Sequence, residues 1–137
     1  MDTATLQKTL DEIAAEYVRR LKLRVESIDA GADSVTLSLP VTPELVHAGG
    51  VLCGQAIMSA ADTAMLVAMI AKIGGFKPMT TVQLQTSFLR PVPRDAASVT
   101  VRAMVLRFGK MLSYGEVAFL TPDGKISAHA TTTYALI

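Results

Sequence analysis

Asp62 is the only charged residue between positions 51 and 71, a run otherwise apolar except for scattered groups such as Gln55, Ser59 and Thr63. An ionised carboxylate left unpaired in apolar surroundings costs several kcal/mol or is driven to its neutral form. Its presence there demands an explanation, and one is chemical, since a carboxylate can act as a nucleophile or a general base. Three structural roles compete: exposure at a subunit edge, a local bond to Ser59 in the preceding turn, or an ion pair with an arginine from another element. Structural pairs perturb carboxylates too. A second reactive pair is Cys53 with His47, because a thiol at a helix N-terminus can be acidified. A Cys/His acyl-enzyme would need a third group to orient the imidazole, and none is evident; small apolar packing is the commoner role of a free cysteine. His129 lies in an alternating segment near the end of the chain and reads as a sheet residue.

The elements that must hold these groups follow from periodicity. Residues 5–21 place Leu6, Leu10, Ile13, Ala14, Tyr17 and Leu21 at spacings of three and four, which predicts one amphipathic helix. Residues 22–30 and 34–39 alternate around Ala30-Gly31-Ala32-Asp33, which predicts a hairpin. Pro40, Pro43, Gly49 and Gly50 make residues 41–52 a loop. An apolar helix is then predicted from about Cys53 to Ile73, stopped by Gly74-Gly75. Being apolar on nearly every side, it must be wrapped. Four strands are predicted at residues 80–90, 97–108, 112–121 and 125–136, with a tight turn at Thr121-Pro122-Asp123-Gly124, so the tail reads as an antiparallel meander. Together these elements make an α+β domain in which a curved sheet wraps a central helix.

Composition narrows the functional classes. With 137 residues the chain forms one domain, and with half of them apolar it folds rather than remaining disordered. Thirteen basic and twelve acidic residues spread along the chain, net +1, supply no basic patch for nucleic acid. One cysteine excludes an internal disulfide, and no Cys/His set has zinc spacing, so a reducing cytosol fits and a structural metal does not. The N-terminal residues lack the basic start and apolar run of a signal peptide, which makes the expected location cytoplasmic. Residues 51–71 are long enough to span a bilayer, but Asp62, Gln55, Ser59, Thr63 and the patterned strands that follow argue against a membrane.

The order of short motifs adds to this reading. Gly49-Gly50-Val51-Leu52-Cys53-Gly54-Gln55 leads into Ala60-Ala61-Asp62-Thr63-Ala64, followed by Thr81-Val82-Gln83-Leu84-Gln85-Thr86-Ser87-Phe88-Leu89-Arg90-Pro91. Across roughly residues 35–137 the chain resembles the hot-dog acyl-CoA thioesterases of the phenylacetate-pathway (PaaI-type) group. The family's usual His-Gly-Gly is replaced here by Cys53-Gly54-Gln55.

This resemblance implies a hot-dog fold with an extra N-terminal helix, acting on acyl-CoA without a further cofactor. It implies that Asp62 attacks or activates water, that backbone N–H groups near Gly54 stabilise the oxyanion, and that Thr81 assists the acid or its water. His47 falls where an asparagine is common and would bond the thioester carbonyl; its alternative is a surface loop residue. Gln55, on nearly the same helix face as Asp62, is a substrate contact or ordinary polar packing. Arg90 and Lys110 are the CoA-phosphate candidates among the strand-end cations, which also include Arg94 and Arg107 and are otherwise solvated surface. Met58, Met65, Met69 and Met79 suit an acyl pocket or core packing.

Spacing adds one requirement. Gly54 and Asp62 are eight residues apart, or about 12 Å along one helix, so they cannot serve the same carbonyl from one chain. If both act, the site is shared in a homodimer, and dimers of this family often pair into tetramers. Two other readings stay open. A hot-dog module could bind acyl-CoA without hydrolysing it, as the missing family histidine suggests, and a dehydratase of the same fold would need a histidine paired with a helix acid.

Overall fold

The computed structural model describes all 137 residues. Helix α1 spans Thr3–Ile13 and starts at Asp2, whose side chain accepts from the Thr5 N–H at 2.8 Å. The single helix predicted over 5–21 is broken: Ala14 and Ala15 take extended backbone before the short α2, Glu16–Arg19. The apolar period runs unbroken through this point, so pattern alone cannot locate the break. Arg19 closes the corner by donating from Nη1 to the Asp11 carbonyl at 3.0 Å.

Strands β1 (Arg24–Asp29) and β2 (Ser34–Pro40) form the predicted hairpin around a 3-10 turn, with Asp33 at φ 51. The loop that follows holds a second 3-10 turn, Pro43–Leu45, and leads to helix α3, Gly54–Ile73. Gly74, at φ 92, stops α3 in left-handed geometry. Strands β3 (Met79–Phe88), β4 (Ser98–Phe108), β5 (Leu112–Leu120) and β6 (Ile126–Leu136) complete the chain.

All six strands form one antiparallel sheet in the order β1-β2-β4-β5-β6-β3. The meander expected of the last four strands holds only for β4, β5 and β6. Strand β3 crosses to the far side of β6 and becomes an edge, and its connection to β4 runs beside the loop before α3, where the Leu52 N–H donates to the Val92 carbonyl at 2.8 Å. Strand pairing at this distance is a tertiary matter that two-residue alternation does not encode.

Helix α3 lies on the sheet against β2, β4, β5, β6 and β3 and supplies Ala60, Ala64, Met65, Val67 and Met69 to a core shared with Leu37, Leu39, Val99, Val101 and Phe119. It is not wrapped on every side. Gln55, Met58, Ser59, Asp62 and Leu66, spaced three and four apart, form an exposed or half-exposed stripe. The helix read as uniformly apolar because even this open stripe carries Met58 and Leu66.

Candidate active site

Asp62 sits half-buried on the open stripe of α3. Strands β3 and β6 bring two hydroxyls to it from directly opposed positions, Thr81 and Tyr134. Thr81 Oγ1 donates to Asp62 Oδ1 at 2.6 Å, and the Tyr134 hydroxyl lies 2.7 Å from the same oxygen and 2.7 Å from the Asp62 carbonyl. A register shift between Thr81 and Gln83 leaves Val82 as an extra residue facing outward, so Thr81 and Leu84 both turn toward the helix. Tyr134 is 4% exposed. Burial, then the charge of Asp62 and its hydrogen bond, hold the phenol far above its ordinary range, so it stays protonated and remains a donor.

Two of the structural roles for Asp62 are thereby answered. No arginine or lysine pairs with it: the ion pairs are Arg20–Glu44, Lys72–Asp33, Lys125–Asp123 and His129–Glu116. Ser59 is engaged elsewhere, its Oγ sharing a hydrogen bond with the Tyr17 hydroxyl at 3.0 Å and its carbonyl accepting from Thr63 Oγ1 at 2.8 Å. His129 faces the outside of the sheet beside Glu116, as a sheet residue would.

At the other end of the open stripe, the first N–H groups of α3, on Gly54, Gln55 and Ala56, donate to nothing in the chain. Gly54 packs closely, and a Cβ there would stand 3.3 Å from the Phe88 ring. Phe88 and Leu89 with Arg90, Val51, Leu52 and Ile57 line an apolar cavity of about 330 Å³ against this turn. These donors suit a developing negative charge, which the positive end of the helix dipole also favours.

The remaining predicted residues are dispersed. His47 turns into its own loop, where Nδ1 accepts from the Gly49 N–H at 2.8 Å, and it shares a shallow depression with Arg94. Cys53 and Gln55 line a different depression beside Tyr17, Arg20 and Glu44. No hydrogen bond joins Cys53 to His47, so the Cys/His pair is not assembled. Arg90 stands by the Phe88 end of the sheet and donates from Nη1 to the Ile126 carbonyl at 2.8 Å. Lys110 lies in the β4–β5 turn at the opposite end, beside Leu136, so within one chain these two cations do not meet one phosphate group. Met65 and Met69 are core, while Met58 is 39% exposed on the stripe that carries Asp62. No three His, Cys, Asp or Glu side chains converge as metal ligands would.

Tyr134 is the site residue that sequence reading missed. The available signal was its inward parity with Ala130 and Thr132 on the last strand, since a buried tyrosine hydroxyl needs a partner.

Comparison with known proteins bears on the family and the fold. Residues 49–128 match the family model described as the thioesterase superfamily. A provisionally named esterase of Thermoplasma acidophilum is 28% identical over 126 residues, covering 86% of each chain. Among solved structures, a thioesterase from Haemophilus influenzae superposes with a TM-score of 0.84 at 20% identity, covering 96% of this chain and 90% of that one. The E. coli PaaI protein from the phenylacetic acid degradation operon superposes with a TM-score of 0.81 at 18% identity, covering 100% of this chain and 96% of that one. The architecture is the α+β hot-dog fold, a long central helix packed on a six-stranded antiparallel sheet with an N-terminal helix added.

Proposed function

The chain belongs to the thioesterase superfamily, and we propose that within it this protein hydrolyses acyl-CoA thioesters to the free acid and CoA, as a homodimer. The observation that carries this reading is the Asp62 carboxylate, held by Thr81 and Tyr134 on a helix face that the chain leaves open. Asp62 attacks the thioester carbon or takes a proton from a water that does so. The carbonyl oxygen, now negative, is received by the N–H groups at the start of a helix. As the C–S bond breaks, the sulfur leaves as CoA thiolate and takes up a proton; where Asp62 has attacked, water then cleaves the mixed anhydride, releasing the acid and restoring the carboxylate.

One protomer cannot supply both halves, because α3 is continuous and places Gly54 about 12 Å along its axis from Asp62. The oxyanion donors therefore come from Gly54 of the partner subunit. The open stripe of α3 and the free edge of β3 flank Asp62, and a second copy seated there would bring its own helix start to the thioester. Aromatic acyl groups are the first to try, since the Phe88 ring lies against Gly54 and a structural neighbour comes from a phenylacetic acid degradation operon.

Thiol release from aromatic, short and medium acyl-CoAs tests the reading, with Asp62→Asn and Cys53→Ala beside the parent. Asp62→Asn should lose about a hundred- to ten-thousand-fold in kcat, the range of a lost acid–base group, while Cys53→Ala stays near the parent. Retained turnover in Asp62→Asn would sink the mechanism. Cys53 in place of the family's usual histidine favours one other reading, an acyl-CoA-binding module without turnover. A parent that binds CoA but releases no thiol would establish it.

A further inference from the structure

Asp62 has two carboxylate oxygens, and both neighbouring hydroxyls are bonded to the same one. Thr81 and Tyr134 converge on Oδ1 at 2.6 and 2.7 Å, and no hydrogen bond within the chain reaches Oδ2. We propose that Tyr134 is a positioning residue that, with Thr81, clamps the carboxylate through Oδ1 and thereby assigns Oδ2 as the oxygen that attacks or takes the proton. The proposal rests on the thioesterase reading of Asp62 and adds to it a residue and an atom.

Three features support the clamp. An aspartate on a helix face turns about χ1 and χ2, and one hydrogen bond leaves it free to swing about that contact, whereas donors from two strands fix its plane. The Tyr134 hydroxyl has one hydrogen and two acceptors at 2.7 Å, the carboxylate and the carbonyl of the same Asp62, and the charged carboxylate is the stronger acceptor of the two. The ring itself is buried among core residues, so the hydroxyl is delivered from a rigid support rather than a flexible side chain. A structural role alone would be indifferent to which oxygen is bonded. The clamp predicts that turnover, more than binding, depends on it.

The test is steady-state kinetics on the full chain with the best acyl-CoA, comparing the parent with Tyr134→Phe, Thr81→Ser and Thr81→Val, each checked for melting temperature and mass in solution. Tyr134→Phe, which removes only the oxygen, should lower kcat about ten- to a hundredfold, the range of a lost hydrogen bond to a charged group, with KM changed less than about twofold. Thr81→Ser, which keeps the hydroxyl, should retain most of the parent's kcat, and Thr81→Val should fall with Tyr134→Phe. A folded Tyr134→Phe with parental kcat overturns the clamp, as does a variant that changes KM alone. Should Tyr134→Phe fail to fold, Thr81→Val with parental kcat overturns it instead. A parent inactive on every thioester defeats the thioesterase reading and the clamp together, whereas an active parent with indifferent variants defeats only the clamp.

Discussion

The two edges of the sheet are treated in opposite ways. Strand β1 has six residues and a register shift after Val25, and α1 packs beside it. Gln7 of α1 accepts from the Val25 N–H at 2.7 Å through Oε1 and donates from Nε2 to the Leu23 carbonyl at 3.2 Å, standing in for the peptide of a further strand. Strand β3 has ten residues, closes the sheet with nothing beyond it, and exposes Val82 at 58% and Phe88 at 52%. A long apolar edge invites another chain, and folds that avoid association blunt such edges. This chain blunts one edge and leaves bare the edge that carries Thr81 of the candidate site. In the proposed dimer the bare edge is where the second half of that site arrives.

The largest expected effect comes from breaking this asymmetry. Val82→Lys puts a charge on the outward bulge of β3, away from Asp62, and should halve the mass in solution while lowering thiol release at least about a hundredfold, as loss of shared oxyanion donors requires. Ser27→Lys at an exposed position of β1 should leave both mass and turnover as in the parent. Light scattering with a turnover assay checks the pair, and equal behaviour of the two lysines would abolish the distinction between the edges. A smaller effect is expected from uncovering the closed edge. Gln7→Ala should cost about 1–3 kcal/mol in denaturant unfolding, because it strands a backbone donor and acceptor, with turnover unchanged.

The smallest effect tests how firmly the β3–β6 side is tied to α3. Burial and the Asp62 charge raise the Tyr134 phenol above its unfolded value of about 10, so the stability this confers is complete below that pH and declines above it, where only the unfolded chain releases the proton. Tyr134→Phe should flatten the fall of unfolding free energy above pH 10 by up to about 1.4 kcal/mol per pH unit, measured by urea titration at successive pH values.

Local signals were legible wherever chemistry and position coincide within a few residues. The limits of α3, the hairpin around residues 30–33 and the turn that ends at Gly124 follow from helix stops and turn chemistry, and the structure keeps them within a residue or two. Asp62 was legible as a lone charge. The break at Ala14 was hidden because the apolar period continues across it. The placement of β3 beside β6, and with it the meeting of Thr81 and Tyr134 over Asp62, depends on pairing between residues far apart in the chain, which no local pattern records. The open stripe of α3 was hidden for a different reason: Met58 and Leu66 look like core in sequence and are core only if a second molecule covers them.

The strand order also has a consequence in time. Strand β3 has no neighbour but β6, so as the chain is made its residues 79–88 have no place in the sheet until residues 126–136 exist to lie between them and β5. Non-local pairings of this kind are slow to form. Strand β6, made after the other five, is therefore what docks the edge and delivers Tyr134, and a nascent chain short of β6 holds Asp62 without Tyr134 and without the strand that pairs with Thr81.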